Sequence, residues 1–212
     1  MVEVKAPRRY DASGRRRHAG LARERILTEA LRLFLARGYA ATTMPSIAAA
    51  AGVSVESIYK AFRSKTGLLR ELHARALTGH GTVPAEQRSD DMRAHTSSAA
   101  QIIENWARLQ IEVSPLVVPI LLLVRAAAAT GPDARQLRDS LNADRRARML
   151  HHAVFLAEAG HLRADLTTEH AADVMYAYTA PELYEMLVLQ QGWDLEDYRA
   201  FLARALHAGI LS

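Results

Sequence analysis

From Leu21 onward the chain alternates apolar and polar positions with the period of a helix. Ile26, Leu27, Ala30, Leu33 and Phe34 fall on one face, with Arg23, Arg25, Glu29 and Arg32 between them. Gly38 follows Arg37 as a C-terminal stop glycine does, which predicts the end of this helix. Thr43 is placed to cap a short second helix over Met44–Ala50, with Pro45 in its first turn, and Gly52 breaks it. Ser54 caps a third helix over Val55–Phe62, and Ser64 a fourth over Lys65–Thr78. Gly79, Gly81 and Pro84 close the fourth, and the polar stretch Gly81–His95 is expected to be a mobile connection.

The second half predicts longer helices. One covers Ser97–Val113, and Ser114-Pro115 opens the next, which runs to Thr130. Gly131-Pro132 precedes a helix over Asp133–Ala159. Thr167 or Thr168 caps one to Gln191, with a kink expected at Pro181, and Asp194 caps the last, Leu195–Ala208. No sustained period-2 run bounded by hairpin turns appears, so the expected fold is all-α.

Composition and charge refine this. The chain has no cysteine, which removes disulfides and thiolate metal sites and suits a reducing cytoplasm. Residues 1–80 hold 15 Lys and Arg against 6 Asp and Glu, a net of +9, whereas residues 81–212 hold 12 against 17, a net of −5. A split of this kind points to a polyanionic partner for the first part alone. The basic stretch 1–20, with Arg8, Arg9, Arg15, Arg16 and Arg17, reads as a flexible arm, either reaching DNA or simply solvated. The most apolar run, Pro115–Val124, is shorter than the roughly 20 residues of a bilayer span. It carries two prolines and is followed by Arg125, so a buried core helix is expected and no membrane partner.

The stretch Thr42–Lys65 carries the most information. Two short helices meet at a tight Ala51-Gly52-Val53-Ser54 turn. Ile47, Ala48, Val53, Ile58 and Phe62 are spaced to bury one face of each helix, and Ala48 and Ala51 are small enough for close crossing. The outer face of the later helix offers Val55, Glu56, Ser57 and Lys60, flanked by Tyr59 and Lys65. That is a helix-turn-helix whose second helix can enter a major groove about 12 Å wide.

Residues 23–77 resemble the DNA-binding domain of the TetR family of bacterial regulators. The matching features are Ile26, Ala30 and Phe34, Gly38-Tyr39, Thr42-Thr43, Ile47-Ala48, Ala51-Gly52-Val53-Ser54, Tyr59, Phe62 and Ser64-Lys65. Departures stand at Glu56, Ala61, Arg63 and Thr66, where the family often has Gly or Ala, an aromatic or His, Pro, and an acidic residue. The resemblance implies phosphate contacts from Thr43, Tyr59 and Lys65, and groove contacts from Ser54, Val55, Ser57 and Lys60. Glu56 either reads a cytosine amino group or sits at the positive end of its own helix.

Farther along, Thr179–Trp193 with Asp197-Tyr198 and Phe201 is similar to the last two helices of one TetR subgroup with a Pro-Glu-x-Tyr…Gly-Trp pattern. By that resemblance residues 168–208 form a homodimer interface, and Leu183, Leu187, Tyr198, Phe201, Leu202 and Leu206 give two apolar stripes that either pair across it or complete the protomer core. The resemblance also implies an unidentified small-molecule effector in a pocket between the middle helices. Candidate lining residues are Trp106, Gln110, Leu122, Arg125, His152, Phe155, Met175, Tyr176 and Thr179. Arg125 would meet an anionic ligand, pair with Glu158 or Asp173, or turn outward.

The expected organisation is therefore a basic arm (1–20), a three-helix helix-turn-helix DNA-binding domain (21–80, with the motif at 43–62), and a larger C-terminal helical bundle (81–212). The expected function is sequence-specific binding of double-stranded DNA by a dimeric, ligand-responsive cytoplasmic repressor with a palindromic operator; an effector-independent or nucleoid-like DNA-binding protein is the alternative. No Gly-rich phosphate loop, nucleophile elbow or metal-ligand spacing is present, so neither catalytic residues nor a cofactor are expected.

Overall fold

The computed structural model describes residues 12–79, 81–96 and 98–211, with the side chains of 12–16 left aside. Ten α-helices appear among them: α1 (Ala12–Ala41), α2 (Met44–Ala51), α3 (Val55–Phe62), α4 (Lys65–Thr78), α5 (Ala85–Ala94), α6 (Ala99–Ala128), α7 (Pro132–Glu158), α8 (Thr168–Tyr178), α9 (Pro181–Tyr184) and α10 (Leu195–Ile210). A π-helical turn, Glu185–Gln190, continues α9. The fold is all-α, and one isolated antiparallel bridge joins Leu162 to Leu211. The chain divides into two compact units, residues 1–68 and 69–212.

In the first unit the predicted stripe is the core: Ile26, Leu27, Ala30, Leu33 and Phe34 of α1 are buried, with Ile47 and Ala48 of α2 and Ile58 and Phe62 of α3. Helix α1 starts at Ala12, upstream of the expected Leu21, and its last turn is broken at Gly38 (φ 77). Residues 1–11 of the expected basic arm lie outside the described residues. The buried Thr42 hydroxyl ties the chain past that break, donating to the Gly38 carbonyl at 2.9 Å and lying 3.1 Å from that of Leu33. At the α2–α3 turn Gly52 is left-handed (φ 64, ψ 41), and the Val53 N–H reaches the Ala48 carbonyl. This is the glycine-dependent helix stop the sequence predicts.

The second unit is built around α6, which packs against α7 and α10, while α5 lies on α6 and α8 on α7. Two buried clusters form its interior. One holds Ile102, Ile103, Trp106, Leu156, Met175, Leu206 and Ile210, and the other holds Ala107, Val118, Tyr184, Tyr198 and Leu202.

Two expectations are corrected here, and the placement of the C-terminal stripes is added. Gly81–His95 is not a structureless connection, because Ala85–Ala94 is helical. Its Asp90 and Ser89 find partners on α7, which a local polar pattern cannot reveal. The two helices expected either side of Ser114-Pro115 are one. Ser114 is buried and accepts from Gln110 Nε2 at 3.1 Å instead of capping a new helix. Apolar residues buried on both sides carry the helix across Pro115 and Pro119. Helix α6 is consequently 30 residues and apolar enough to span a membrane by length and composition. Packing against α7 and α10, and no shortness of its apolar run, is what makes it a core helix. Of the stripes, Tyr198 and Leu202 are buried in one cluster and Leu206 in the other, while Leu183, Leu187 and Phe201 pack partly against the first and stay partly exposed. The buried half of each stripe contributes to the protomer's own core.

Candidate nucleic-acid interface and ligand cavity

Helix α3 is fixed by its ends and its inner face. The Ser54 hydroxyl accepts the Ser57 N–H at 3.2 Å and sits 3.0 Å from the Ser57 hydroxyl, so Ser54 and Ser57 are both engaged in the cap. Ile58 and Phe62 anchor the helix inward. Outward it shows Glu56, Ser57, Tyr59 and Lys60, with Val55 half-buried; Tyr59 keeps 50% of its surface exposed, unusual for an aromatic in so small a helix. Glu56 turns back on its own backbone N–H and on the Ser54 hydroxyl, which hold its carboxyl below the usual range. That is the helix-terminus placement, the second of the two alternatives for this residue. Thr43 caps α2 reciprocally: its side chain accepts from the Ser46 N–H at 3.2 Å while the Ser46 hydroxyl accepts from the Thr43 N–H at 3.1 Å.

The other end of α3 closes in a γ-turn. Arg63 has φ 66 and ψ −40, and the Ser64 N–H donates to the Phe62 carbonyl at 2.8 Å. Proline, with φ near −65° and no N–H, fits neither this backbone nor the bond from the Arg63 N–H to the Tyr59 carbonyl, which accounts for Arg63 at that position. Ser64 then caps α4 by accepting the Gly67 N–H at 3.0 Å. Gly67 must be glycine, because a Cβ there would run into the Phe62 carbonyl oxygen. Lys65 reaches back to the α1–α2 connection. Its ammonium donates to the carbonyls of Tyr39 (2.7 Å) and Thr42 (2.9 Å) and lies 4.0 Å from the centre of the Tyr39 ring. The sequence placed Lys65 at a phosphate; the structure adds a clamping role that spacing could not show, leaving one of its three N–H groups over.

The second unit encloses a cavity of about 700 Å³ bounded by α4 residues from Arg70 on and by α5, α6, α7, α8 and α10. Its wall is mainly apolar, with Leu109, Val113, Val117, Leu121, Leu141 and Met149 among the contributors. The Trp106 and His152 rings meet at 4.2 Å between centroids, tilted by 42°, and His152 Nε2 lies 3.1 Å from the Ser89 hydroxyl. Burial, reinforced by Arg148, Arg93 and His151, pushes His152 down to about 2, so it is neutral at physiological pH. Trp106 Nε1 and His152 Nδ1 are buried without a hydrogen-bond partner. Helix α5 is tied over this region by Asp90, which accepts from Arg148 at 2.7 and 3.0 Å and contacts Arg93 and His151. Burial opposes ionisation of Asp90, but Arg148, Arg93 and His151 outweigh it and hold the carboxyl at about 2.

The family model for bacterial regulatory proteins of the tetR family matches residues 26–72, the three-helix unit and the start of α4. Over those residues the chain carries the helix-turn-helix DNA-binding domain that this family model describes. The HTH-type transcriptional regulator AcrR of Shigella flexneri is 28% identical over 189 residues, 85% of this chain and 86% of AcrR. Among solved structures, NalD, the secondary repressor of the MexAB-OprM multidrug efflux pump in Pseudomonas aeruginosa, superposes with a TM-score of 0.73 at 19% identity. It covers 92% of this chain and 98% of its own. SmeT in complex with triclosan gives 0.70 at 20% identity, covering 90% and 92%. Residues 26–72 are thus similar to the DNA-binding domain of such regulators, and the solved structures share the fold of each of the two units.

Of the nine cavity candidates read from the sequence, Trp106, Gln110, His152, Met175 and Thr179 line the cavity. Leu122, Arg125, Phe155 and Tyr176 do not. Arg125 is exposed and pairs with Glu185 (2.8 Å) and Glu182 (3.4 Å), neither of them an expected partner; Asp173 is taken by Arg146. Phe155 lies under the Arg93 guanidinium, Tyr176 under that of Arg145, and Leu122 packs into the second cluster. The pairing of Arg125 with residues 57 and 60 positions away had no local signature. Sequence reasoning missed Ser89, Ser114, Arg145 and Arg148, because a polar residue on a long charged helix looks the same whether it faces water or a cavity.

Proposed function

We propose that this chain is a ligand-responsive repressor that binds a palindromic operator as a homodimer. The observation that carries the reading is α3: a capped helix anchored by Ile58 and Phe62 that turns Ser57, Tyr59 and Lys60 outward from the basic half of the chain. Ser54, Val55, Ser57 and Lys60 face base edges, while Thr43, Tyr59 and the remaining Lys65 N–H meet phosphates. The cavity of about 700 Å³ supports the effector half of the reading, being of the size that encloses drug-like molecules, roughly 300–1,000 Å³. SmeT, of the same fold, is known in complex with triclosan, and NalD is a repressor.

Two copies pair through residues 168–208. The pairing surface is the exposed set Met186, Leu189, Trp193 and Leu195 around the π-helical turn and the start of α10, beside the partly exposed Leu183, Leu187 and Phe201. Effector binding changes the spacing of the two α3 copies, which must enter successive major grooves about 34 Å apart. The domain division at about residue 80, and a cytoplasmic site of action where the DNA lies, belong to the same reading.

The test is fluorescence anisotropy with duplexes from the DNA upstream of the chain's own coding sequence, at salt from 50 to 200 mM, alongside a random duplex. Specific binding at one site, released by a small molecule that raises the melting temperature, is expected. Equal affinity for every duplex would establish the nucleoid-like alternative instead.

A further inference from the structure

We propose that the cavity takes an amphipathic anion, an apolar body ending in one carboxylate or similar oxyanion, with Arg145 as its counter-charge. This rests on the effector reading of the cavity and names the chemical class of its ligand.

Arg145 stands on α7, half-buried, in a wall that is otherwise mainly apolar. The neighbouring arginines are taken: Arg146 by Asp173 and Arg148 by Asp90. Arg145 forms no ion pair among the described residues. Its Nη1 donates to the Tyr176 carbonyl at 2.7 Å and to the Thr179 hydroxyl at 3.3 Å, and its guanidinium lies 3.7 Å from the centre of the Tyr176 ring. Those partners are neutral and engage one nitrogen, leaving Nε and Nη2 for a ligand. Glu182 exerts a pull on it but is bonded to Arg125.

A guanidinium withdrawn from water and held only by neutral dipoles gains most from an anion, and it offers a carboxylate two parallel N–H donors. The other charges on the wall do not compete for the role. Arg148 is neutralised by Asp90, and His152 is uncharged at neutral pH. Arg70, Glu86 and Asp144 are exposed to solvent, where their field is screened, and burial lowers the pKa of His73 and so favours its neutral form. Gln110, on the same cavity wall, keeps a second amide N–H beyond the one given to Ser114, and Trp106 offers the apolar surface for the ligand's body.

The test is calorimetric titration of the full chain with three probes of one flexible body: decanoate, decan-1-ol and decylammonium. Decanoate is expected to bind most tightly and decylammonium least. Arg145→Met should weaken decanoate about ten- to a hundredfold, the range of a hydrogen-bonded charge. The same variant should leave decan-1-ol within about twofold, and the alcohol thereby reports that the cavity is still formed. Arg145→Lys should keep part of the decanoate affinity, since it keeps the charge and loses the paired donors. Equal binding of alcohol and acid, tighter binding of the amine, or decanoate binding indifferent to Arg145→Met would overturn the anion assignment while leaving the effector cavity standing. Failure of all three probes to bind would overturn both.

Discussion

Replacing Lys65 by methionine separates a structural clamp from a phosphate contact. The substitution keeps the apolar stem and deletes two charge-assisted hydrogen bonds, to the carbonyls of Tyr39 and Thr42, together with the contact on the Tyr39 ring. A hydrogen bond to a charged group is worth about 1.5–3 kcal/mol. Lys65 is only half-buried, and its competing partner is water, so the low end applies and both bonds together come to about 3 kcal/mol. For a chain of this size each kcal/mol moves the melting temperature by about 2–4 °C, giving an expected fall of about 6–12 °C. Lys60→Ala is the control. Lys60 is exposed, so the melting temperature should hold while the slope of log affinity against log salt falls by about one. Differential scanning fluorimetry and anisotropy titrations over a salt series measure both quantities. If Lys65→Met melts within about 1 °C of wild type and only loses salt slope, as Lys60→Ala should, Lys65 is a free phosphate ligand and the clamp is refuted.

Two further outcomes are expected. Gly67→Ala sets helix propensity, worth about 1 kcal/mol in favour of alanine, against collision with the Phe62 carbonyl oxygen, which the γ-turn at Arg63 holds in place. The collision should win by roughly 1–3 kcal/mol, read as a lower urea midpoint; a raised midpoint would show that the turn relaxes freely. Asp90→Asn should loosen α5. Because the folded carboxyl is held at about 2, below its ordinary 3.8, the stability it contributes is present above 3.8 and lost as pH falls towards 2. The gap in melting temperature between wild type and Asp90→Asn should therefore be open at pH 7 and closed by about pH 2; a gap constant with pH would mean that the ion cluster does not stabilise α5.

The sequence by itself determined α2, α3 and α4 almost residue by residue, though not the limits of α1. Helices α2, α3 and α4 fall within a residue of their predicted limits, because short-range signals fix them: Thr43, Ser54 and Ser64 satisfy helix-end N–H groups, and Gly52 supplies a left-handed stop. Their apolar stripe had only one face to bury. The second unit depended on contacts between residues far apart in the chain. Helix α5 forms although its sequence is polar, since its partners Arg148 and His152 lie on α7. Helix α6 crosses two prolines because buried neighbours outweigh the lost backbone bonds. Amphipathic stripes in α10 said that a face is buried without saying against what, and tertiary packing assigned it to the protomer core. The same limit hid Arg145: charge and helical position are local properties, whereas an unpaired guanidinium on a cavity wall exists only once α7 and α8 are brought together with α6.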